Sequence, residues 1–351
     1  MGANHLIVEK ETTWGTFVTP TLAVPVEGAS INPNQPLIDN EDTGGGRGQR
    51  PMATGELSVN GPINMKLYPR SVPFLLATMF RTRAKTAAGT GWRNKILPDD
   101  DLAFESVSMQ KRYSATLGES IRGGKLNTAN ITVRSREYAK LATTWVAKDA
   151  AVDGDFWWGD PSLASPAVIA SPTYESPMPD PFKFDQGVLR IGGTVALTAG
   201  EIIVTSGVER CEIDNVAINI NNNLSADAYG ICLDDPSVQS VDEGRRQITV
   251  TFEPNFTTVE SEFWLAWKDG TPAVLELFFQ GAEYEATYPY QMKVTLPNVR
   301  YSAAANPELN ATYGLKRTQV TGMAFLETTI NKDIGVVLQS LDDLTAATWA
   351  P

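Results

Sequence analysis

A chain of 351 residues is longer than most single hydrophobic cores, and a norm of roughly 100 to 200 residues per domain predicts about two domains. Apolar residues at 42% and charged residues at 20%, with 8 Trp, 13 Phe and 10 Tyr, exclude an intrinsically disordered chain. With 29 Lys plus Arg against 41 Asp plus Glu, the formal net charge of -12 excludes a protein that gathers polyphosphate by bulk charge.

The opening residues Met1 to Glu11 set Glu9 and Glu11 beside a short Leu6-Ile7-Val8 run, without the basic region and apolar core of a signal peptide. No stretch approaches the ~18 to 20 apolar residues that span a bilayer, so a soluble product, cytoplasmic when made, is expected. From Gly55 to Leu67, Leu57, Val59, Ile63 and Met65 alternate with Glu56, Ser58, Asn60, Asn64 and Lys66. Period two predicts a strand with one buried and one wet face. Pro69 closes it, and Ser71 followed by an early proline and an apolar run predicts a short helix over 71–80.

Arg81 to Lys95 reads as a basic, Gly-containing loop. Alternation resumes at Phe104 to Tyr113, at Lys125 to Arg134 and at Tyr138 to Lys148. Between Ala150 and Asp185 six prolines (Pro161, Pro166, Pro172, Pro177, Pro179 and Pro181) remove backbone donors and favour extended neighbours, as in a linker or a surface-hugging arm. A domain boundary is expected there.

The same order then returns. Ile213 to Asn221 alternates Val216, Ile218 and Ile220 with Asn215, Asn219 and Asn221, and Arg246 to Glu253 alternates Ile248, Val250 and Phe252 with Gln247, Thr249, Thr251 and Glu253. Thr258 to Lys268, capped by Thr258 and ended by Gly270, predicts the second short helix. Ala273 to Phe279, Met292 to Leu296 and Val320 to Leu326 are strand candidates. The opening glycines Gly55 and Gly244 precede the helix caps Ser71 and Thr258 by similar distances, so the halves share a plan at low residue identity. The expected fold is mainly β with short helices, as two β-sandwich or partial-barrel units. Helices do not alternate with strands, which disfavours a parallel α/β fold.

Catalytic and metal chemistry has little foothold. The single histidine, His5, reads as a residue of a disordered tail. Cys211 and Cys232 lack metal or disulfide spacing and read as reduced, buried residues. Asp99, Asp100 and Asp101, and the looser group Asp234, Asp235, Asp242 and Glu243, lack the order of an EF-hand and read as solvated loop charge. Pairs drawn from Glu260, Glu262, Glu283 and Glu285 arise by chance among 41 acids. The stretch Asp42, Thr43, Gly44, Gly45, Gly46, Arg47, Gly48, Gln49, Arg50 lacks the Lys-Ser or Lys-Thr pair of a P-loop and reads as a mobile loop whose arginines meet acidic surface on a neighbouring copy, ordering on assembly.

The run Glu9-Lys10-Glu11-Thr12-Thr13-Trp14-Gly15-Thr16-Phe17-Val18-Thr19-Pro20 resembles the start of many tail tube proteins of long-tailed (siphovirus-type) bacteriophages. Val24 to Ser30, Gly44 to Arg50, Gly55 to Leu67 and Ser71 to Phe80 follow in the family's order, and Ile218 to Leu224 is similar to a recurrent strand end. The resemblance implies a non-enzymatic virion protein without cofactors. Its inner strands would form a β-barrel on oligomerisation, in rings stacked as the channel for genome delivery. It implies a first tail-tube-like domain at 1–150 with an N-terminal arm, a Pro-rich linker at 151–185, and a second such domain at 186–351 with a C-terminal arm. Three copies would then close a pseudo-hexameric ring, with a true hexamer carrying one half outside the tube as the alternative.

On this reading Glu56, Ser58, Asn60, Asn64, Gln247, Thr249, Thr251 and Glu253 face the lumen, with Lys66 the exception to an acidic and neutral lining past which DNA moves without specific binding. Gly44, Gly45, Gly46, Arg47, Gly48 and Arg50 form an inter-subunit loop. Partners are further copies, the tape measure, the tail terminator and the tail tip proteins; the site of assembly is the host cytoplasm. The rival from a different class is a β-sandwich carbohydrate-binding or adhesin module displaying Trp157, Trp158 and Tyr174 as ligand platforms.

Overall fold

The computed structural model describes residues 5–38, 52–80, 82–99, 104–114, 117–152, 157–158, 172–230, 235–254, 260–304, 319–346 and 349. Strands dominate these residues, with α-helices at Val72–Ala77 and Glu260–Asp269.

The segments that alternate in sequence lie side by side in one antiparallel row. From the short strands Gly28–Ala29 and Asn32–Asn34 the order is Ser58–Lys66, Lys140–Ala147, Gly118–Arg134, Ile213–Asn221, Gln247–Pro254, Val320–Ala324 and Tyr288–Ala304. A single cross-strand line through Gly28, Asn64, Ala142, Asn130, Asn219, Thr249, Met323 and Arg300 traverses all of it. Alternation fixes which face is buried: Val59, Ile63, Met65, Leu141, Trp145, Ala129, Ile131, Ile218, Ile220, Val250 and Phe252 join one core cluster, while their polar neighbours stay on the other face.

One pairing scheme occurs twice. Ser58–Lys66 pairs with Lys140–Ala147, which pairs with the 17-residue strand Gly118–Arg134; that strand also pairs with Val107–Arg112 and Asp149–Val152. Gln247–Pro254 pairs with Val320–Ala324, which pairs with the 17-residue strand Tyr288–Ala304; that strand also pairs with Ala273–Glu285 and Gly335–Ser340. His5–Lys10 flanks Val107–Arg112 as Gly187–Ile191 flanks Ala273–Glu285. Each helix follows the first strand of its scheme. The two schemes meet where Gly118–Arg134 pairs with Ile213–Asn221, from Thr128 opposite Asn221 to Arg134 opposite Asn215.

Gly118–Arg134 serves two sheets. Its first residues lie in a sheet with His5–Lys10 and Leu22–Val24, and its later ones in the shared row. The bend falls at Gly123, where φ is +70° and an added Cβ would sit only 2.7 Å from Lys148 Cβ.

Several expectations are corrected. Arg81 to Lys95 is largely a hairpin, Thr82–Ala88 with Gly91–Leu97, and its second strand pairs with Gly335–Ser340. Three of its basic residues are paired: Arg83 with Glu105, Lys85 with Asp343, Arg93 with Glu201. The first helix spans only Val72–Ala77, and Ser71 does not cap it; at φ +65° its hydroxyl donates to Glu175 Oε2 at 2.8 Å. The second helix ends at Asp269 before Gly270, whose φ is +64°; Thr258 lies outside the described residues. His5 is not in a disordered tail: it opens the first strand, its Nδ1 2.8 Å from the Tyr174 hydroxyl. Cys211 is exposed, and Cys232 lies outside the described residues.

Candidate functional site

The wet face of the shared row is the largest functional candidate. Ser58, Asn60 and Asn64 lie on it, with Glu56 exposed at its rim two residues before the strand, and Gln247, Thr249, Thr251 and Glu253 lie on it four strands away. Between them the register places Ala142, Thr144, Thr128, Asn130, Thr132, Asn215, Ala217, Asn219 and Asn221. Neutral amides and hydroxyls therefore fill its middle. Thr128 Oγ1 and Thr144 Oγ1 are 2.6 Å apart, and Asn215 Nδ2 donates to Glu253 Oε2 at 2.8 Å.

Charge is confined to the margins of this face. Lys66, Lys140 and Arg134 gather at one end, and Arg300 lies on the last strand, so the expectation of Lys66 as the lone exception is corrected. Lys66 Nζ stands 4.9 Å over the Tyr138 ring, and Lys140 pairs with Glu137 at 3.1 Å.

The shared row itself has two flanks left unpaired by strands among the described residues. One is the outer side of Gly28–Asn34, and the other is the side of residues 300–304 away from Val320–Ala324. Gly44, Gly45, Gly46, Arg47, Gly48 and Arg50 lie outside the described residues; the strands Leu37–Ile38 and Ala53–Thr54 bracket them, with Leu37 and Ile38 exposed.

The N-terminal motif has a structural explanation that sequence reasoning missed. The Glu11 carboxylate is buried and accepts from Gly15 N at 2.9 Å, Gly123 N at 2.7 Å, Ser106 Oγ at 2.6 Å and Ser108 Oγ at 2.8 Å. Burial pushes its pKa up, and these hydrogen bonds pull it down. Trp14 Nε1 donates to Gly123 O at 3.0 Å, and Gly15, at φ +74°, has no room for a Cβ beside Lys148. The motif thus pins the first segment against the bend at Gly123.

A second buried cluster ties distant segments. Arg70 Nε donates to Asp342 Oδ1 at 2.7 Å, Arg70 Nη1 to Pro177 O at 3.1 Å, and Glu175 stands 3.6 Å from Arg70 Nε. Burial, then the neighbouring Asp342 carboxylate, pushes the Glu175 carboxyl up to about 8, against the opposing Arg70 charge. The cluster joins the start of the first helix, the Pro-rich segment and the C-terminal region.

Other readings gain nothing here. Trp157 is buried, with the Arg122 guanidinium 4.7 Å from its ring, which removes one of the three aromatic platforms; Trp158 and Tyr174 are exposed. Among the described residues no three His, Cys, Asp or Glu side chains group as metal ligands; Asp100, Asp101 and Asp234 lie outside them.

A wide antiparallel sheet with a dry face, a polar face of neutral centre and two open edges defines a structural building block. The family model described as phage tail tube protein matches residues 3–313, and the chain belongs to that family. It is a structural component of a bacteriophage virion tail, from a family whose members self-assemble into a tube and meet other tail proteins. No curated protein matches the chain.

Proposed function

We propose that the chain carries two tail-tube-like units, residues 1–150 and 186–351 joined by 151–185, and that three copies close a ring of six units. Stacked rings form the channel for genome delivery. The observation that carries this reading is the pairing of Gly118–Arg134 with Ile213–Asn221, because it sets two instances of one pairing scheme side by side in one sheet. Ile213–Asn221 flanks Gln247–Pro254 as Gly28–Asn34 flanks Ser58–Lys66. Residues 300–304 hold, in the second scheme, the place of the stretch that receives Ile213–Asn221 in the first. Pairing the 300–304 edge of one copy with the Gly28–Asn34 edge of the next repeats the internal junction and satisfies both backbones. Such a head-to-tail contact closes into a ring when the rotation from copy to copy closes on itself, as it does for three copies in this reading.

In that ring the polar face lines the lumen, with Glu56, Ser58, Asn60, Asn64, Gln247, Thr249, Thr251 and Glu253 among its residues. Its neutral centre offers phosphate no ion pair, so DNA passes without being held. The Gly44–Arg50 loop contacts neighbouring copies, and the tape measure, tail terminator and tail tip proteins complete the tail assembled in the host cytoplasm. The protein acts by assembly and not by catalysis. Native mass measurement of the smallest ring tests the stoichiometry: three chain masses are expected, and six would overturn it. Dispersed monomers at every concentration would favour the adhesin reading.

A further inference from the structure

The shared row has two chemically different ends, which suggests how one ring meets the next. Register places Ser58, Asn221, Gln247 and Ala324 at one end, and Lys66, Lys140, Arg134, Asn215 and Val320 at the other.

At the first end a hairpin, Ser225–Tyr229 with Val238–Asp242, spans the gap between Asn221 and Gln247. Leu57 N donates to Pro236 O at 2.9 Å, which anchors this hairpin of the second unit to the first unit. Glu56, Asp227, Asp242 and Glu243 are exposed here. The cations nearby are mostly engaged: Arg246 with Asp333, Lys125 with Glu243 at 3.8 Å and, like Lys148, over the Trp14 ring, which leaves Arg245 exposed and Glu56, Asp227 and Asp242 as the acids outside these pairs. This end is acidic.

At the opposite end the turn from Arg134 to Lys140 exposes Arg134, Arg136 and Lys140, and Lys66 and Lys183 stand 4.9 and 6.0 Å over Tyr138. Glu137 and Asp185 are the exposed acids beside them. This basic end is built by the first unit with Lys183 of the joining segment, and not by the second unit. In the second unit the same end carries Arg210 with Glu212, Glu253 and Glu262.

We propose that the Arg134–Lys140 turn of one copy docks on the acidic hairpin end of a copy in the adjoining ring. The proposal rests on the tube reading and adds a polarity and a rotational register. Rings stack head to tail, because like ends repel, and each first unit sits over a second unit, because only that alignment opposes unlike charges.

The test is tube length, read by electron microscopy, for purified full-length protein at ionic strengths from about 0.1 M to about 1 M, over which the screening length falls from about 10 Å to about 3 Å. Wild-type tubes should shorten across this range. Arg136→Glu with Lys140→Glu, and separately Glu56→Lys with Asp227→Lys, should each leave rings intact while shortening tubes about tenfold at the lower ionic strength. All four substitutions together should restore length, since every ring carries both ends. All four side chains are exposed, so unchanged melting temperatures check that the fold is kept. Pair variants with wild-type length, or a quadruple variant that stays short, would overturn the proposal. So would a change confined to DNA retention in tubes of normal length, which would make the basic turn a phosphate contact. Wild-type protein that forms no rings would instead overturn the tube reading itself.

Discussion

The buried Glu11 carboxylate ties the first segment to Ser106, Ser108 and Gly123, far along the chain. Glu11→Ala leaves several buried donors without an acceptor, each costing about 1–3 kcal/mol, so a loss of about 3 kcal/mol or more is expected in chemical denaturation. A variant within about 0.5 kcal/mol of wild type would contradict this role. Glu175 is an ordinary acid in sequence that folding buries beside Asp342 and Arg70. A carboxyl with a higher pKa folded than unfolded binds more protons when folded, so its contribution is complete below the unfolded value and is lost as pH rises through about 8. Stability should therefore fall between about pH 4.5 and about pH 8 and level off above it, and Glu175→Gln should flatten that slope; equal slopes in the two proteins would contradict the assignment.

At the scale of elements, strands with one dry and one wet face were readable because period two is written directly in residues such as Val59, Ile63 and Met65. The Thr82–Leu97 hairpin was not, because its basic side chains, held by Glu105, Asp343 and Glu201, stand where an apolar alternation would have marked a strand. The first part of Gly118–Arg134 was hidden likewise: it buries Glu119 and Arg122 against Lys111 and Asp149, so it carries no apolar alternation. The candidate face was legible strand by strand, whereas its continuity across both halves depends on the pairing with Ile213–Asn221. The open edges yield a direct expectation. Gly28 and Arg300 lie at opposite flanks of the row, seven strand steps or about 34 Å apart along the sheet at ~4.8 Å per step. A Cβ at Gly28 meets no atom within 4 Å. With both native cysteines replaced by serine, Gly28→Cys with Arg300→Cys should cross-link between copies under mild oxidation of assembled protein. Failure to form dimers and trimers on denaturing gels would contradict the proposed edge pairing.

For the whole molecule, the acidic balance excluded bulk attraction of DNA but did not show where the charge lies. Folding gathers neutral Asn and Thr at the centre of one face and sends Lys66, Lys140 and Arg134 to its end. The main core cluster draws on both halves, so the two units are packed together within the chain and not merely tethered by the Pro-rich segment. The most direct measurement is a helical reconstruction of assembled tubes by electron cryomicroscopy at side-chain resolution. The expected result is a hollow tube with Asn64, Asn130, Asn219 and Thr249 facing the bore and three chains in each ring. A tube with that face turned outward, or with one half of every chain excluded from the wall, would contradict it.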